Sequence, residues 1–450
     1  MATQAQLSDF FSYLRIPSIS AEPARAPEMA ACAAWLGGKL GSLGFSVTLH
    51  DGYGPPIVVA RRSAAAPGAP TLLIYGHYDV QPPGPPELWT TPAFEPAVRD
   101  GFVYARGATD NKGQLMAHLL GTEALLSSAG DLPVNLLYVI EGEEEIGSPG
   151  FGRFLAAHAQ SLACDAILVS DTSMVAPGRP AITCGLRGIA CVDLTVRGPS
   201  SDLHSGVFGG AVANPATELA RLIAALHDTT GRVAVPGFYD QVTPVGPDER
   251  AGWRTIPGAD QGILDATGAP ALAGEEGFTT LERLWSRPTA EVNGITAGYQ
   301  GPGTKTVLPS EASAKLSFRL VPHQEPGDIA RKAAAFFEER APKSVTIHVH
   351  YDHGGDPYHA DLCSPLGTAA QEALRAVFGC DATRVREGLS IPVVALLKKV
   401  LRRDTVLVGF GLPDCAAHAP NESFPLEQLD HGIAFHGTLL RLYAALSRSI

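Results

Sequence analysis

The hydrophobic positions in the first half of the chain form short unbroken runs, each followed by histidine or acidic residues. The run 72–74 precedes His77 and Asp79, and the run 134–140 precedes an acidic stretch. Unbroken apolar runs of this length are typical of strands that are buried on both faces. On its own, the pair of His77 and Asp79 is best explained as a hydrogen-bonded pair in a loop.

The same pattern recurs further along the chain. The run 166–169 precedes Asp171, and the run 405–410 precedes His418. Asp110 opens a stretch with apolar residues at helical spacing. Because parallel strands bring their carboxyl ends to one edge of a sheet, we expect these polar groups to converge there. Two histidines and three carboxylates at one edge favour a cation site, and specifically a site for two metal ions.

The pattern changes near residue 185, where apolar and polar positions begin to alternate as in strands with one buried face. Alternating strands and amphipathic helices then follow in the ferredoxin-like order of strand, helix, strand, strand, helix, strand. These predicted elements cover residues 192–196, 214–226, 292–300, 312–321, 328–339 and 345–350.

The chain is therefore predicted to contain two domains. The first is an α/β domain with a doubly wound, mostly parallel sheet, and it is discontinuous, covering residues 1–186 and 354–450. The second is a ferredoxin-like α+β domain over residues 187–353, inserted into the first. A chain of 450 residues, 45% of them apolar, is long enough to bury two cores.

Composition excludes several classes of partner. The net charge is −12 without a basic stripe or interleaved aromatics, so nucleic acids and anionic membrane surfaces are disfavoured. No apolar run approaches the ~20 residues that a membrane span needs. The 7 cysteines are scattered and lack a C-x-x-C spacing, which favours reduced thiols in the cytoplasm and argues against a structural zinc cluster. The first residues also lack the charged segment and apolar core of a secretory signal.

The acidic stretch EGEEE combines two predicted environments. A dense run of carboxylates usually marks a solvated face, and we expect that environment for Glu141 and Glu143. Glu144 and Glu145 fall where the strand ends and a turn begins. Two ionised carboxylates a few ångströms apart repel by about 1 kcal/mol in water and several-fold more near a protein interior. A divalent cation reverses that sign, so we expect the second pair to lie beside bound metal.

Several motifs together resemble a known family. In chain order they are HYD, ARGATDNKGQ, EGEEEIGS, the strand end at Asp171, DLHSGVFGG and AHAPNE. This set is similar to the aminoacylase/carnosinase/carboxypeptidase G family of co-catalytic zinc hydrolases, and the resemblance runs through essentially the whole chain. The segments PGFYD and REGLSIP resemble the cytosolic dipeptidase, carnosinase-like branch of that family.

The resemblance implies roles for the residues at the sheet edge. His77 and Asp171 would hold one divalent metal ion, Glu145 and His418 would hold a second, and Asp110 would bridge them. These two ions would be zinc, or alternatively manganese. Asp79 would orient His77 through its ring N–H, and Glu144 would act as general base. The family also places a cis peptide bond directly after the bridging aspartate.

The resemblance also implies substrate-binding residues outside the metal site. His204 would stabilise the oxyanion, Arg319 would bind a substrate carboxylate, and Thr306 and Ser390 would make further substrate contacts. Without the resemblance, His204 is an ordinary loop histidine and Arg319 is a solvated arginine on a sheet. The inserted domain would act as a lid and form a homodimer, with His204 reaching the metal site of the partner subunit.

The leading functional prediction is hydrolysis of the peptide bond of dipeptides by a water molecule activated at two zinc ions. N-acyl-amino-acid deacylation and carboxypeptidase activity are alternatives on the same scaffold, since the metal site does not distinguish them. A catalytically silent binding or scaffold protein is the alternative outside enzymes. The presence of every ligand and of Glu144 argues against that alternative.

Overall fold

The structure is a computed structural model that describes residues 3–388 and 391–448. The substrate-binding candidate Ser390 therefore lies outside the described residues. The helices are α1 (Gln4–Leu14), α2 (Ala26–Ser42), α3 (Lys112–Ala129), α4 (Phe151–His158), α5 (Ser205–Phe208), α6 (Pro215–Ala224), α7 (Pro247–Arg254), α8 (Ala259–Thr267), α9 (Thr280–Ser286), α10 (Pro326–Arg340), α11 (Pro365–Phe378), α12 (Pro392–Leu401) and α13 (Leu426–Ser447). The strands are β1 (Ser46–His50), β2 (Ile57–Arg62), β3 (Thr71–His77), β4 (Ala97–Arg99), β5 (Phe102–Tyr104), β6 (Asn135–Glu141), β7 (Ala166–Val169), β8 (Ala181–Leu186), β9 (Gly188–Arg197), β10 (Leu203–His204), β11 (Thr289–Ala297), β12 (Val307–Leu308), β13 (Glu311–Leu320), β14 (Thr346–Gly355), β15 (Tyr358–His359), β16 (Thr383–Glu387), β17 (Thr405–Leu407) and β18 (Ser423–Pro425).

The chain forms two compact units. Unit 1 consists of Met1–Cys184, Ala360–Val385 and Leu396–Ile450. Unit 2 consists of Gly185–His359 and Arg386–Ala395. Within the described residues, no helix combines the length and hydrophobicity that a membrane span requires.

Unit 1 is built on a mixed sheet with the strand order β1-β2-β6-β3-β7-β17-β8. The central strands β6, β3, β7 and β17 pair in parallel, whereas β1, β2 and β8 make antiparallel pairs. The α/β fold class predicted from the sequence is confirmed, with parallel pairing confined to the centre of the sheet. Because these central strands are covered on both faces, their residues are apolar and buried, as Leu72, Leu73 and Ile74 are in β3.

Helices α3 and α13 pack closely against each other in unit 1. Gly121 permits this approach, since a Cβ atom added there would lie 2.7 Å from the Cβ of His436. Gly432 of α13 permits the same close approach, since a Cβ atom added there would lie 2.7 Å from the Cβ of Ala117 in α3. The close packing brings His118 of α3 into contact with His436 of α13.

Unit 2 contains a four-stranded antiparallel sheet in the order β11-β13-β9-β14. The chain order β9, α6, β11, β13, α10, β14 confirms the predicted ferredoxin-like arrangement. Helices α6 and α10 pack on the sheet, and the core between them is apolar, with Leu194, Leu222, Phe318 and Phe336 as members. Helices α7, α8 and α9 lie between α6 and β11 in the chain.

Candidate metal centre

The five predicted ligands lie at the ends of different elements of unit 1. His77 is the last residue of β3, Asp171 lies two residues beyond β7, and Asp110 lies two residues before α3. Glu145 lies in a 3₁₀ turn after β6, and His418 lies in the loop between β17 and β18. Because β3, β6 and β7 are parallel neighbours, their carboxyl ends meet at one edge of the sheet. The structure therefore brings these five side chains together.

The five side chains form two groups that share Asp110. In the first ligand group, His77 Nε2 lies 3.2 Å from Asp110 Oδ1 and 3.5 Å from Asp171 Oδ2. In the second ligand group, His418 Nε2 lies 2.8 Å from Asp110 Oδ2 and 3.2 Å from Glu145 Oε2. Asp110 thus presents one carboxylate oxygen to each group, which is the geometry of a bridging ligand.

The donor atoms fit divalent cations. His77 Nδ1 lies 3.1 Å from the backbone oxygen of Asp79, and since a carbonyl oxygen only accepts, we assign the ring proton to Nδ1. His77 Nε2 then directs a lone pair towards carboxylate oxygens, an arrangement of acceptors that a cation satisfies. Among the described residues, His77 Nε2 and Glu145 Oε1 are buried atoms that lack a hydrogen-bond partner. Imidazole nitrogens with carboxylate oxygens are a donor set of zinc and of manganese.

The charges in the cluster act strongly on one another. Burial disfavours a charged imidazole, but the carboxylates of Asp171 and Asp110 outweigh it and raise the pKa of His77 well above its usual value. Hydrogen bonds to Asp110 and Glu145 raise the pKa of His418 to about 10. Burial opposes ionisation of Asp110, yet the two histidines lower the pKa of that carboxyl. The cluster therefore attracts positive charge, whether as protons on the imidazoles or as metal ions.

Asp79 is fully buried and connects the first ligand to the turn that carries Glu144 and Glu145. Its Oδ1 and Oδ2 accept hydrogen bonds from the backbone N–H groups of Glu144 and Glu145, at 3.2 and 3.0 Å. Asp79 Oδ1 also lies 3.3 Å from His77 Nδ1. Burial raises the pKa of Glu144, and the nearby carboxylates of Asp171 and Asp110 raise it further. A raised pKa suits a carboxylate that must accept a proton near neutral pH.

The solvated environment predicted for Glu141 and Glu143 is wrong. Glu141 is 1% exposed, and its Oε1 accepts hydrogen bonds from Tyr75 Oη at 2.9 Å and Ser148 Oγ at 2.8 Å. Burial raises the pKa of Glu141 to about 7. Glu143 is half-buried, and its Oε2 accepts the backbone N–H of Gly150 at 3.0 Å. Through these hydrogen bonds, both glutamates hold the turn that leads into α4. The contacts made in the folded chain, and not the local density of carboxylates, set the environment of each glutamate.

Two further predicted site residues lie on a two-stranded ribbon of unit 2. His204 is exposed at the end of β10, and its Nδ1 accepts the backbone N–H of Gly206 at 3.0 Å. Strand β10 pairs with β12, and Thr306 lies directly before β12. The backbone oxygen of Thr306 accepts the N–H of Ser205 at 3.0 Å. In this ribbon His204 pairs with Val307, and Thr306 lies opposite Ser205, one residue further along.

Arg319 lies in β13 of unit 2, facing away from the apolar core. Its neighbours Phe318 and Leu320 are 0% exposed, whereas Arg319 is half-buried. Successive residues of a strand point to opposite faces, so the arginine lies on the unpacked side of the strand, as predicted. A guanidinium on that face is chemically suited to a carboxylate ligand.

Asn111 contributes to the cluster, although the sequence did not indicate it as a site residue. Its Nδ2 donates to the backbone oxygen of Ser170 at 2.6 Å and to Asp171 Oδ1 at 2.8 Å. The peptide bond between Asp110 and Asn111 is cis, as the family resemblance implied. The position of this asparagine, directly after Asp110 within the motif ARGATDNKGQ, was the signal that could have identified it.

A buried hydrogen-bond chain next to the ligand cluster has no sequence signal. Tyr138 Oη donates to the backbone oxygen of His118 at 3.2 Å, so the hydroxyl accepts from Thr122 Oγ1 at 2.8 Å. Thr122 then accepts from His436 Nε2 at 2.8 Å, and His436 Nδ1 accepts from His118 Nδ1 at 3.0 Å. His118 Nε2 accepts from Ser170 Oγ at 2.7 Å. This chain requires two neutral histidines, and burial lowers the pKa of both.

Known proteins resemble the chain over nearly its whole length. A family model described as Peptidase family M20/M25/M40 matches residues 73–442. The Cys-Gly metallodipeptidase dug1 of Schizosaccharomyces pombe is 32% identical over 455 residues, covering 96% of this chain and 94% of that protein. The human Beta-Ala-His dipeptidase is 32% identical over 381 residues, covering 83% of this chain and 75% of that protein.

A solved structure shows the same fold. The crystal structure of an M20 family metallo-carboxypeptidase from Sulfolobus solfataricus has a TM-score of 0.83 and 32% sequence identity, covering 98% of this chain and 100% of that one. The family match spans every predicted metal ligand, from His77 to His418. The chain therefore belongs to peptidase family M20/M25/M40.

Proposed function

We propose that this protein is a metal-dependent dipeptidase. The observation that carries the proposal is the pair of ligand groups that share Asp110 at the sheet edge, with Glu144 beside them. Two relatives that match most of the chain are named as dipeptidases, which supports a small peptide as substrate. The cytoplasm is the proposed compartment, in line with the scattered cysteines of the sequence.

The proposed cofactor is two divalent metal ions per subunit, with zinc preferred and manganese as the alternative. The first ligand group would hold one ion and the second ligand group the other, with Asp110 between them. When bound, the ions would lower the pKa of a water molecule and polarise the carbonyl of the scissile bond.

Glu144 is the proposed general base and acid. With its raised pKa, the carboxylate is basic enough to accept a proton from the attacking water near neutral pH. The same carboxyl can then deliver that proton to the nitrogen of the leaving amine. Asp79 holds the backbone of Glu144 and keeps the ring proton of His77 on the side away from the carboxylates. The position of Glu144 and the tautomer of His77 thus both depend on Asp79, through its side chain and its backbone oxygen.

Substrate recognition is proposed for residues of unit 2. His204 would donate a hydrogen bond to the oxyanion that forms from the substrate carbonyl. Arg319 would bind the C-terminal carboxylate of the substrate in a charge-assisted, bidentate manner. Thr306 and Ser390 would contribute further hydrogen bonds to the substrate. His204 and Thr306 belong to the same two-stranded ribbon, with Thr306 opposite Ser205.

We also propose that the protein is a homodimer through unit 2, with His204 serving the metal site of the partner subunit. Strands β11 and β14 are the two edges of the ferredoxin-like sheet and are largely exposed. The segment after His204 exposes two large apolar side chains, Val207 at 68% and Phe208 at 41%. Exposed apolar residues beside a polar site residue favour contact with another protein surface.

Removal and return of metal test the proposed activity. Protein that has been stripped with a chelator should lose hydrolysis of an unblocked dipeptide and regain it with zinc or manganese.

Mixed dimers test the proposal that each active site is shared between two subunits. A heterodimer of His204→Ala and Glu144→Gln subunits should recover up to about half of wild-type activity if His204 acts in the partner. Verified heterodimers that stay as inactive as both parents would overturn the shared-site proposal.

Carboxypeptidase activity is the second candidate, because the solved structure reported above is named as a metallo-carboxypeptidase. N-acyl-amino-acid deacylation is a third activity of the same bond class. Rates on an unblocked dipeptide, its N-acetylated form and a longer peptide separate the three. Preference for the unblocked dipeptide supports dipeptidase activity. Preference for the N-acetylated form would indicate a deacylase, and preference for the longer peptide would indicate a carboxypeptidase. A metal-loaded protein inactive on all of them would instead be a silent binding protein.

A further inference from the structure

A carboxylate outside the two ligand groups lies at the centre of the loop that carries Asp110. Glu422 is 0% exposed and is the last residue of the motif AHAPNE. Its Oε2 accepts from Arg106 at 2.7 Å and from the backbone N–H of Gly107 at 2.9 Å. Its Oε1 accepts from the backbone N–H groups of Thr109 and Asp110, at 2.8 and 3.0 Å. Four donors from five consecutive residues therefore converge on one side chain.

Glu422 also belongs to the loop that carries His418. The backbone N–H of Ser423 donates to the oxygen of Cys415 at 2.9 Å, which closes this loop around His418. Thr109 Oγ1 donates to the backbone oxygen of Ser423 at 2.6 Å, and so clamps the two loops together next to Glu422. The positions of Asp110 and His418 are thereby coupled through Glu422 and its neighbour.

The donor set requires an ionised carboxylate at this position. Four N–H groups face the two oxygens of Glu422, and the guanidinium of Arg106, itself 1% exposed, balances the charge. An amide at the same place would direct its NH₂ group against two N–H donors whichever way it is turned. Leaving a buried donor unsatisfied costs roughly 1–3 kcal/mol, so the loop would shift rather than accept the amide.

The two ligand groups depend on these loops to different extents. In the first ligand group, His77 and Asp171 follow the central strands β3 and β7, which hold their positions through sheet pairing. In the second ligand group, both Asp110 and His418 come from the loops that Glu422 joins.

We propose that Glu422 is a positioning residue for the metal centre, and that it holds the second ligand group in place more than the first. This inference rests on the proposed two-metal function and adds a residue that acts through the ligands without binding metal. Residues behind metal ligands typically change metal affinity by about 10- to 100-fold when mutated. The larger effect should therefore fall on the ion of the second ligand group, which takes two of its three ligands from these loops.

Zinc titration of chelator-stripped protein against a competing chromophoric chelator tests the proposal. Wild type should bind two zinc ions per chain. Glu422→Gln should weaken one site by about 10- to 100-fold and the other much less, because the first ligand group shares only Asp110 with these loops. In hydrolysis assays at fixed zinc, kcat should fall with the loss of the second ion, excess zinc should restore it, and KM for the dipeptide should stay constant.

Glu275→Gln is the matched control. Glu275 is a buried carboxylate of unit 2, and in the described part of the chain its oxygens accept hydrogen bonds from Arg287 at 2.7 Å and from Arg232 at 3.3 Å, both residues of the same unit. Its variant should lose stability while retaining two zinc sites of wild-type affinity. Arg106→Lys is the second control, because it keeps the cation and the three backbone hydrogen bonds to Glu422, and it should also retain both sites.

Each outcome decides the proposal. Two unchanged sites in Glu422→Gln would show that Glu422 has a structural role only, and equal weakening of both sites would exclude the preference for one group. If that variant does not fold, Glu422→Asp keeps the charge but has a shorter side chain. It must weaken zinc binding at the same site, by a smaller factor. A wild-type protein that binds no zinc or manganese would instead overturn the proposed function, which keeps the two failures distinct.

Discussion

The two units differ in how completely they bury charged side chains, since Glu275 and Glu282 of unit 2 remain 8% and 4% exposed. Unit 1 encloses charged and titratable groups that include His77, Lys112, Glu141, Glu422 and His436, each at most 1% exposed. The core of unit 2 is apolar, and the described site candidates His204, Thr306 and Arg319 lie outside that core. Burying a charge is unfavourable unless it is paired or hydrogen-bonded, so unit 1 retains its polar interior through dense hydrogen bonding.

This difference affects how firmly each proposed site residue is held in place. A side chain held by several buried hydrogen bonds can keep a reactive group within narrow limits, as Asp79 does for Glu144. Exposed or half-buried residues such as His204 and Arg319 can adjust to a ligand. We therefore expect substitutions in the buried network of unit 1 to act on catalysis and metal affinity. In unit 2, substitutions in the core should act on folding, Arg319 on substrate binding and His204 on the oxyanion.

The largest expected effect concerns Glu144, the proposed base in unit 1. Glu144→Gln should keep the fold and both metal ions, because the amide preserves the shape of the side chain and Glu145 remains a ligand. Turnover of a dipeptide should fall by roughly 10²- to 10⁴-fold, the usual contribution of a general base. Glu143→Gln, one residue away, should lose far less activity, since Glu143 accepts a loop N–H. Near-normal turnover by a metal-replete Glu144→Gln enzyme would refute the assignment.

The second effect concerns the apolar core of unit 2. Phe336 is 1% exposed, and Phe336→Ala should lower the free energy of unfolding by about 3–5 kcal/mol through lost burial and the cavity it leaves. Denaturant unfolding measures this loss, and zinc affinity of the folded protein should not change. Ile295→Ala, at a position 58% exposed, should cost well under 1 kcal/mol. A loss of zinc affinity in folded Phe336→Ala would contradict the division between the units.

The third effect concerns binding on the other face of the same sheet. A hydrogen bond to a charged group contributes about 1.5–3 kcal/mol, so Arg319→Ala should lower kcat/KM on a free dipeptide by roughly 10- to 100-fold. The variant should discriminate less between the free acid and its C-terminal amide. Lys315→Ala removes an exposed cation of the same strand and should behave as wild type. Equal losses on acid and amide would indicate that Arg319 does not bind the carboxylate.

The smallest expected effect is an acid sensitivity of unit 1. Burial lowers the pKa of His118 to about 4, so the folded protein takes up this proton less readily than the unfolded chain, where the pKa is near 6.5. Stability from this group is present above about pH 6.5 and is lost as the pH falls towards 4. The loss is about 1.4 kcal/mol per histidine for each pH unit below 6.5. Unfolding of metal-free wild type and His118→Asn between pH 5.5 and 7 measures it.

The variant should show the shallower pH dependence. The comparison cancels the opposite contributions of His77 and His418, whose pKa values are raised in the metal-free protein. Parallel pH profiles for the two proteins would exclude His118 as the acid-sensitive group.

Much of the fold was predictable because it depends on local patterns. Unbroken apolar runs predicted the central strands, and alternation predicted the sheet of unit 2, including the outward position of Arg319. The candidate ligands were predictable for a related reason. Because β3 and β7 were expected to pair in parallel, His77 and Asp171 at the carboxyl ends of these strands were expected to meet at one edge of the sheet.

Other features depend on contacts between segments that are distant in sequence. Glu141 was expected in solvent, but Tyr75 and Ser148 donate hydrogen bonds to its carboxylate in the folded chain. The pairing of His118 with His436 joins residues 318 positions apart, and Glu422 meets Thr109 across 313. No periodicity encodes such partners.

The sequence by itself determined the main element types and, through its motifs, the family, because these follow from side-chain chemistry and short-range spacing. It predicted the set of ligands through the resemblance to that family. Only the tertiary structure decided which carboxylates are buried and which atoms each ligand faces. It also identified the residues that hold the ligands in position. Burial and hydrogen-bond direction are properties of the packed whole, and a charged side chain such as Glu422 gives no local sign of whether it will face water or four N–H donors.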